Sequence, residues 1–211
     1  MNSFVTALRE ASIVVNDGFR IQPGDVVTVL ADGNHKLEAE ALASAAGAAG
    51  GEVAIIDISP QVARGLISPG IPEPPKNVHA AVTSSDVVII KTEIDFAHRF
   101  AHTSAVRKAV DNQAKIASVE EGLGSWGLTK DDILKVHERT VKLAELFEGA
   151  DKVRITTRKG TDITLSIRGR KALIVTPIRE KGVMMGPMPL WGEVAFAAIE
   201  DSAMVSTSQT V

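Results

Sequence analysis

The stretch that decides the fold is residues 26–56, VVTVLADGNHKLEAEALASAAGAAGGEVAII. It opens with the apolar run Val26–Leu30, whose length and lack of alternation are typical of a parallel strand covered on both faces. Asp32-Gly33-Asn34 then supplies a turn and a helix cap, and the Ala-rich segment Leu37–Ala49 reads as a helix closed by two glycines. A second strand is expected at Val53–Ile56. Together these segments predict one strand–helix–strand unit with a right-handed crossover.

The same rhythm continues along the chain. Apolar runs predict further strands at 87–90 and 115–119, with a helical stretch around 104–110 between them. A helix with one buried stripe is expected over residues 2–15, and Thr129 is expected to cap a long helix that carries two aspartates in its first turn. The predicted fold class for residues 1–150 is therefore α/β, a Rossmann-like three-layer domain with a mostly parallel sheet.

Residues 59–78 interrupt this pattern with five prolines. Because proline removes a backbone donor and fixes φ, this segment is predicted to be an irregular surface excursion without strand or helix. Such a loop often borders a binding site.

The pattern changes after Asp151. Apolar and polar residues alternate on both sides of the turn at 159–162, which is typical of a β-hairpin. Strand-like runs follow at Leu173–Val175 and Val194–Ile199. We therefore expect a boundary near residue 150 and a β-rich segment over residues 151–211.

The composition excludes several kinds of site and partner. The 211 residues contain no cysteine, which rules out disulfides, thiolate metal sites and cysteine nucleophiles and fits a cytoplasmic protein. A net charge of −3 without a basic cluster argues against nucleic acid as a partner. No apolar stretch is long enough for a membrane span, and the start of the chain lacks the apolar core of a signal peptide.

The familiar catalytic and nucleotide-binding motifs are missing from the sequence: it has no phosphate loop, no dinucleotide fingerprint, no nucleophile elbow and no His-Glu-x-x-His. Asp32 and Asn34 follow the first predicted strand, where open α/β sheets usually bind ligands. Turn and cap hydrogen bonds, which Asp and Asn make in any turn, are the favoured explanation of the same two residues, and ligand binding stays open as the alternative.

His98 and His102 are the histidine pair with ligand-like spacing, since residues four apart share one face of a helix. Two histidines make a poor metal site unless the loop folds back so that Asp95 or Glu93 completes it, and we expect this chain alone to bind no catalytic metal tightly. His102 is open to two other roles, the capping of the helix that begins near Thr103 and general acid–base catalysis. His35, His79 and His137 are expected on the surface or on helix flanks.

Several motifs spread over nearly the whole chain carry a family resemblance. They are Ile21–Val27, the helix end Ala45–Gly51, Phe100–Thr103, Thr129–Asp132, Arg154–Arg170 with its Gly-Thr-Asp-Ile-Thr-Leu-Ser core, Gly192–Val194 and Glu200–Ser202. In these motifs the chain resembles the amino-terminal half of the aminopeptidase T family (peptidase family M29). That family also includes the iron-dependent 2,5-dihydroxypyridine 5,6-dioxygenases.

The resemblance implies a metal-dependent enzyme whose divalent metal, Zn, Co or Fe, is held by Glu, His and Asp residues of the carboxy-terminal half. Counterparts of those ligands are not found in this sequence. The resemblance also implies a role in acid–base catalysis for His102. Substrate-binding roles are predicted for Thr103, Asp32, Asn34 and Glu193, with a small peptide or an aromatic acid as the substrate.

Three functions remain as alternatives. The first is a component of an M29-like enzyme that works with a metal-bearing partner, or an inactive shortened homologue of such an enzyme. The second is a module that binds a small molecule or peptide without turnover, and the third is a nucleotide-binding domain. The missing phosphate loop disfavours the third. The apolar runs near the end of the chain predict association, either as a homo-oligomer or with the metal-bearing partner.

Overall fold

The computed structural model describes residues 3–68, 70–120, 122–182, 186–189 and 192–196. The chain divides into two compact units, one of residues 1–134 and 177–190 and one of residues 135–176 and 191–211. The boundary expected near residue 150 stays a prediction.

The first unit alternates helices and strands as the sequence predicts. Helix α1 (Ser3–Ile13) continues into a π-helical segment (Val14–Phe19) and leads to β1 (Val26–Ala31), a 3-10 turn (Gly33–His35), α2 (Lys36–Ala48) and β2 (Glu52–Asp57). After β2 come α3 (Ser59–Ile67), α4 (Lys76–Ser84), β3 (Val87–Lys91), α5 (Ile94–Phe100), α6 (Ser104–Asp111) and β4 (Lys115–Val119).

The prediction of an irregular segment over residues 59–78 is wrong for most of its length. Helix α3 occupies residues 59–67, and α4 begins at Lys76. Pro60 lies in the first turn of α3 and Pro75 is the N-cap of α4, positions where a missing N–H breaks no helical hydrogen bond. Prolines at these two positions begin helices instead of breaking them, so the number of prolines alone does not predict an irregular segment.

The sheet of the first unit has the strand order β2-β1-β3-β4-β8, where β8 is Gly186–Met188. Every neighbouring pair is parallel, with Val29 opposite both Ile55 and Ile89, and Ile90 opposite Ser118. The four predicted parallel strands are therefore confirmed. The sheet and its flanking helices form the α/β, Rossmann-like three-layer arrangement.

Two apolar clusters lie on opposite faces of this sheet. One joins α1 and α2 to Val27 and Val29 of β1 and Val87 and Ile89 of β3. The other joins the four helices from α3 through α6 to the side chains that the same strands direct to the opposite face of the sheet. All five residues of β3 are buried, whereas Ile55 of the edge strand β2 is 46% exposed. The apolar run correctly predicts that β2 is a strand. It does not show that β2 lies at the edge of the sheet with part of its apolar surface exposed.

Helix α7 (Lys130–Phe147) begins in the first unit and ends in the second. The predicted cap is confirmed, because the Thr129 hydroxyl accepts from the Asp132 N–H at 3.3 Å while the Asp132 carboxylate accepts from the Thr129 N–H at 2.9 Å.

The described residues of the second unit form two small antiparallel sheets. β5 (Lys152–Thr156) pairs with β6 (Asp162–Ser166), which confirms the predicted hairpin, and β7 (Ala172–Val175) pairs with β9 (Glu193–Phe196). The remainder of the predicted run 194–199 and the motif at 200–202 lie outside the described residues. Within the described chain, no helix combines the length and apolar character that a membrane crossing requires.

Candidate functional site

A crevice between β1 and β3 is the position where this topology places a ligand. The two strands are neighbours in the sheet, but β1 leads into α2 on one face and β3 leads into α5 on the other. Because the chain departs in opposite directions, open α/β sheets usually bind a ligand in the crevice outside the carboxyl ends of two such strands. The polar residues that follow β1 and β3 therefore form the candidate site.

Asp32 is the centre of the hydrogen bonding at this opening and is only 4% exposed. Its Oδ1 accepts from the N–H of Asn34 at 3.0 Å, from the N–H of His35 at 3.2 Å and from Nδ1 of the His35 ring at 2.7 Å. Its Oδ2 accepts from the N–H of Glu93 at 3.0 Å. One carboxylate thus joins the loop after β1 to the loop after β3.

Asn34 and Glu93 lie beside this carboxylate. The Asn34 side-chain amide is 3.4 Å from Glu93 Oε1, a long contact that leaves the exposed amide loosely held. Among the described residues, Asp32, His35 and Glu93 bring ligand-type atoms within 4.8 Å of one another. The four donors already bound to Asp32 make it an anchor for these loops rather than a strong metal ligand.

The neighbouring strand β2 ends in a second small network. Ser59 donates its hydroxyl to Asp57 Oδ1 at 2.5 Å and its N–H to the same oxygen at 2.8 Å, and it accepts from the N–H of Gly33 at 2.8 Å. These bonds from Ser59, side chain first, lower the pKa of the Asp57 carboxyl below its ordinary value. The turn after β1 is therefore fixed from the β2 side as well.

A fully buried lysine at the end of β3 stabilises the elements around the site. Lys91, the last residue of β3, places Nζ 2.8 Å from Glu38 Oε2 of α2 and donates to the backbone carbonyl of Glu120 at 3.0 Å. A buried ammonium requires such partners, because an isolated charge is costly to desolvate. Lys91 thereby holds α2 and the chain after β4 against the end of β3.

His102 lies in the turn between α5 and α6 and is exposed. The prediction that it caps α6 is wrong, because the cap is Thr103, whose buried hydroxyl accepts from the N–H of Val106 at 3.3 Å. His98 is on α5, which ends at Phe100, so the two histidines do not share one helix face. The catalytic role of His102 and the substrate role of Thr103 stay predictions.

Glu193, the fourth predicted substrate-binding residue, begins β9 in the second unit. Asp32 and Asn34 are brought together at the carboxyl end of β1. His35 was expected on the surface or a helix flank. It does precede α2, but its side chain is only 11% exposed and is bound to Asp32. The signal that could have identified it is an aspartate three residues before a histidine, directly after a buried strand.

A separate concavity lies along the end of α3 and the loop that follows, with a volume of about 270 Å³. Arg99 donates to the carbonyls of Gly65, of Ser68 at 3.1 Å and of Gly70 at 3.4 Å. Glu73 accepts from the N–H and the hydroxyl of Ser104, both at 2.8 Å. Arg99 and the lining residue Glu73 thus fasten the loop.

Comparison with known proteins gives a structural likeness. No family model matches the chain, and no curated protein matches it by sequence. The structure of 2,5-dihydroxypyridine dioxygenase from Pseudomonas putida KT2440 superposes with a TM-score of 0.62 at 12% identity. The match covers 88% of this chain and 54% of the dioxygenase chain, so this chain spans about half of its length. At this identity the likeness shows a shared fold.

Proposed function

We propose that this chain is the amino-terminal portion of a metal-dependent enzyme of the M29 aminopeptidase-like kind, acting in peptide hydrolysis or in opening a hydroxypyridine ring. The fold shared with half of a dioxygenase over 88% of this chain supports the proposal most directly. The family motifs along the sequence point the same way. In this proposal the chain forms one wall of the catalytic cleft.

The described residues do not fit the resident catalytic metal of such an enzyme. The three-residue group at the β1/β3 crevice contains one histidine, and its aspartate already binds four N–H donors. Catalytic zinc sites normally have three protein ligands and an open position. We therefore propose that Zn, Co or Fe is held by a metal-bearing partner, and we assign no step of the reaction to a metal in this chain.

His102 is the proposed acid–base group of this wall. Its exposure leaves the ring accessible to a substrate, and histidine exchanges protons near neutral pH. Asp32, Asn34, Thr103 and Glu193 are the proposed substrate contacts. A small peptide or an aromatic acid is the proposed substrate.

Association with a partner has its own support in the second unit. On the β5–β6 hairpin, Val153 faces Leu165 and Ile155 faces Ile163, so one side of this two-stranded sheet is apolar. Three of the four are exposed by 46–47%. Two-stranded sheets rarely stand alone in water, and an uncovered apolar face favours association. A metal-bearing partner or a second copy of this chain would cover it.

The test combines the purified chain with candidate partners. Alone, with Zn, Co or Fe supplied, it is expected to turn over neither leucine p-nitroanilide nor 2,5-dihydroxypyridine. A polypeptide encoded beside it that carries a Glu, His and Asp set should restore turnover. His102→Gln should then lower kcat with little change in KM, and His98→Gln is the matched control. Turnover by the isolated chain, with stoichiometric metal lost in a His98/His102 double variant, would refute the proposal.

A module that binds without turnover is the second candidate, and the β1/β3 crevice favours it because all of its residues belong to the first unit. Calorimetry with a dipeptide and with 2,5-dihydroxypyridine separates the two functions. Binding that persists unchanged while every tested partner fails to produce turnover would select the module.

A further inference from the structure

The β5–β6 hairpin combines its apolar side with a concentration of positive charge. Residues 151–171 contain seven basic and two acidic residues, a net charge of +5, whereas the whole chain carries −3. Every residue of β6 is exposed, and in β5 only Val153 is partly covered. The expectation that the chain has no basic cluster is therefore wrong for this segment.

Several of these cations are not neutralised within the chain. The side chains of Lys152, at the start of β5, and of Arg158 and Lys159, in the turn, have no hydrogen-bond or ion-pair partner among the described residues. Arg154 and Arg168 each form an exposed ion pair. The hairpin thus presents free positive charge beside exposed apolar side chains. A surface with acidic groups around an apolar patch would complement both.

Strand β2 of the first unit is such a surface. It lies at the edge of the five-stranded sheet, and no described strand pairs with its outer side. Ile55 in its middle is 46% exposed, and the acidic residues at its two ends, Glu52 and Asp57, are exposed as well. The Glu52 side chain has no partner within the described chain. The first unit as a whole contains 13 basic and 18 acidic residues, a net charge of −5.

We propose that the β5–β6 hairpin of one copy binds the edge strand β2 of a second copy, with β5 added to the sheet as a further strand. Strand addition forms backbone hydrogen bonds along the unpaired edge, and the side chains select the partner. β5 makes this contact because it carries Lys152 and Arg154, whereas the charged residue of β6 is Asp162, which the acids of β2 would repel.

One parallel register satisfies the charged and the apolar contacts together. If Lys152 lies beside Glu52, then Val153 lies beside Val53 and Ile155 beside Ile55. Because side chains alternate along a strand, both apolar pairs then fall on the same face of the extended sheet. The new strand would also continue the parallel order of the sheet that it joins.

Two other occupants of the hairpin fit less well. Packing of two hairpins against each other would bring together two segments of net charge +5, which repel. Nucleic acid would neutralise the cations but would leave the apolar side of the hairpin in water. Since every copy carries both a hairpin and a free β2 edge, the proposed contact joins copies head to tail. It requires neither metal nor substrate, so it is independent of the proposed catalysis.

A charge exchange tests the contact. Sedimentation velocity of the full chain at low salt should show self-association at about 100 μM, because a single added strand forms a small interface. Glu52→Lys and Lys152→Glu should each weaken it by about tenfold, since like charges then face each other. The variant with both changes should associate as wild type. Glu145→Lys, the same charge change on the exposed side of α7, is the matched control.

Cross-linking tests which strands meet, and the absence of cysteine from the chain makes it specific. A mixture of Ile55→Cys and Ile155→Cys chains, treated with a short bis-maleimide linker, should give a covalent dimer that contains one copy of each. Ile55→Cys mixed with Leu146→Cys should not, although Leu146 is 66% exposed. Circular dichroism confirms that each variant is folded.

Three results would overturn the proposal. The first is a wild-type chain that stays monomeric at this concentration. The second is association that neither Glu52→Lys nor Lys152→Glu weakens, or a mixture of Ile55→Cys and Ile155→Cys that does not cross-link. The third is a monomeric chain that retards a DNA duplex and loses this binding in Lys152→Glu, which would assign the hairpin to nucleic acid.

Discussion

Strand β3 and the β5–β6 hairpin contain similar apolar residues in opposite surroundings. Every residue of β3 is buried between two helical layers, while Ile155, Ile163 and Leu165 of the hairpin are 46–47% exposed. The free energy from an apolar side chain depends on the surface it removes from water. The first unit therefore stabilises itself, whereas the apolar side of the hairpin contributes little until something covers it.

The largest expected difference is in the free energy of unfolding, when the same isoleucine-to-alanine substitution is made in each region. Ile89→Ala in β3 removes most of a fully buried side chain and should lower the free energy of unfolding by about 2–5 kcal/mol. Ile163→Ala on the hairpin should lower it by less than about 1 kcal/mol. Urea denaturation followed by fluorescence compares them. Equal losses would mean that the hairpin is covered in solution.

Ion pairs offer the next comparison. Lys91→Met leaves Glu38 without its partner, and because Glu38 is 18% exposed we expect a loss of about 2–3 kcal/mol, below that for a fully buried pair. Arg154→Gln removes the exposed pair with Asp162 and should not change stability measurably. Thermal denaturation at low and high salt measures both variants. A similar shift in the two melting temperatures would contradict the contrast.

Two glycines with nearly the same φ angle allow the effect of packing to be measured. Gly124 has φ +98° and a Cβ there would lie 2.8 Å from the Ala7 nitrogen, while Gly160 has φ +99° and open space around it. Gly160→Ala should cost about 1 kcal/mol from backbone strain alone, and Gly124→Ala about 1–2 kcal/mol more. The difference between their midpoints in urea gives the contribution of close packing. No difference would show that α1 moves aside freely.

The smallest expected effect is the pH dependence of the hairpin. The hydrogen bond from Arg154 lowers the pKa of the Asp162 carboxyl below its ordinary value of 3.8. The stability from this pair is therefore present above that value and is lost as the pH falls through the lower, folded-state pKa. An NMR titration of Asp162 should show the pKa return toward 3.8 in Arg154→Gln. An unchanged titration would mean that the pair is not formed in solution.

Much of the first unit follows from local pattern. Continuous apolar runs identified β1 to β4 and their parallel arrangement, and alternation identified the hairpin. The sequence could not show that β2 lies at the sheet edge, because strand order depends on contacts between distant segments. The prolines misled for a different reason: whether Pro60 breaks or begins a helix depends on a cap that only the folded chain defines.

The candidate site was predicted only in part. Asp32 and Asn34 could be placed at the end of β1 from strand length alone. The hydrogen bond that Asp32 accepts from the N–H of Glu93 joins residues 61 positions apart. Predicting it would have required knowing that β1 and β3 are neighbours in the sheet. His35 was missed because a histidine after a turn carries no periodic signal, and its orientation is set by one side-chain contact.

The return of the chain to β8 has a consequence for biosynthesis. The chain leaves the first unit after Leu134 and comes back at Pro177. It then forms β8, which pairs with β4, and Glu120 just after β4 donates its N–H to the Met188 carbonyl at 2.9 Å. While the ribosome makes the intervening residues, the outer edge of β4 has no β-strand neighbour. Nascent chains shorter than about 190 residues should therefore expose a β edge that chaperones recognise, and the sheet closes late in translation.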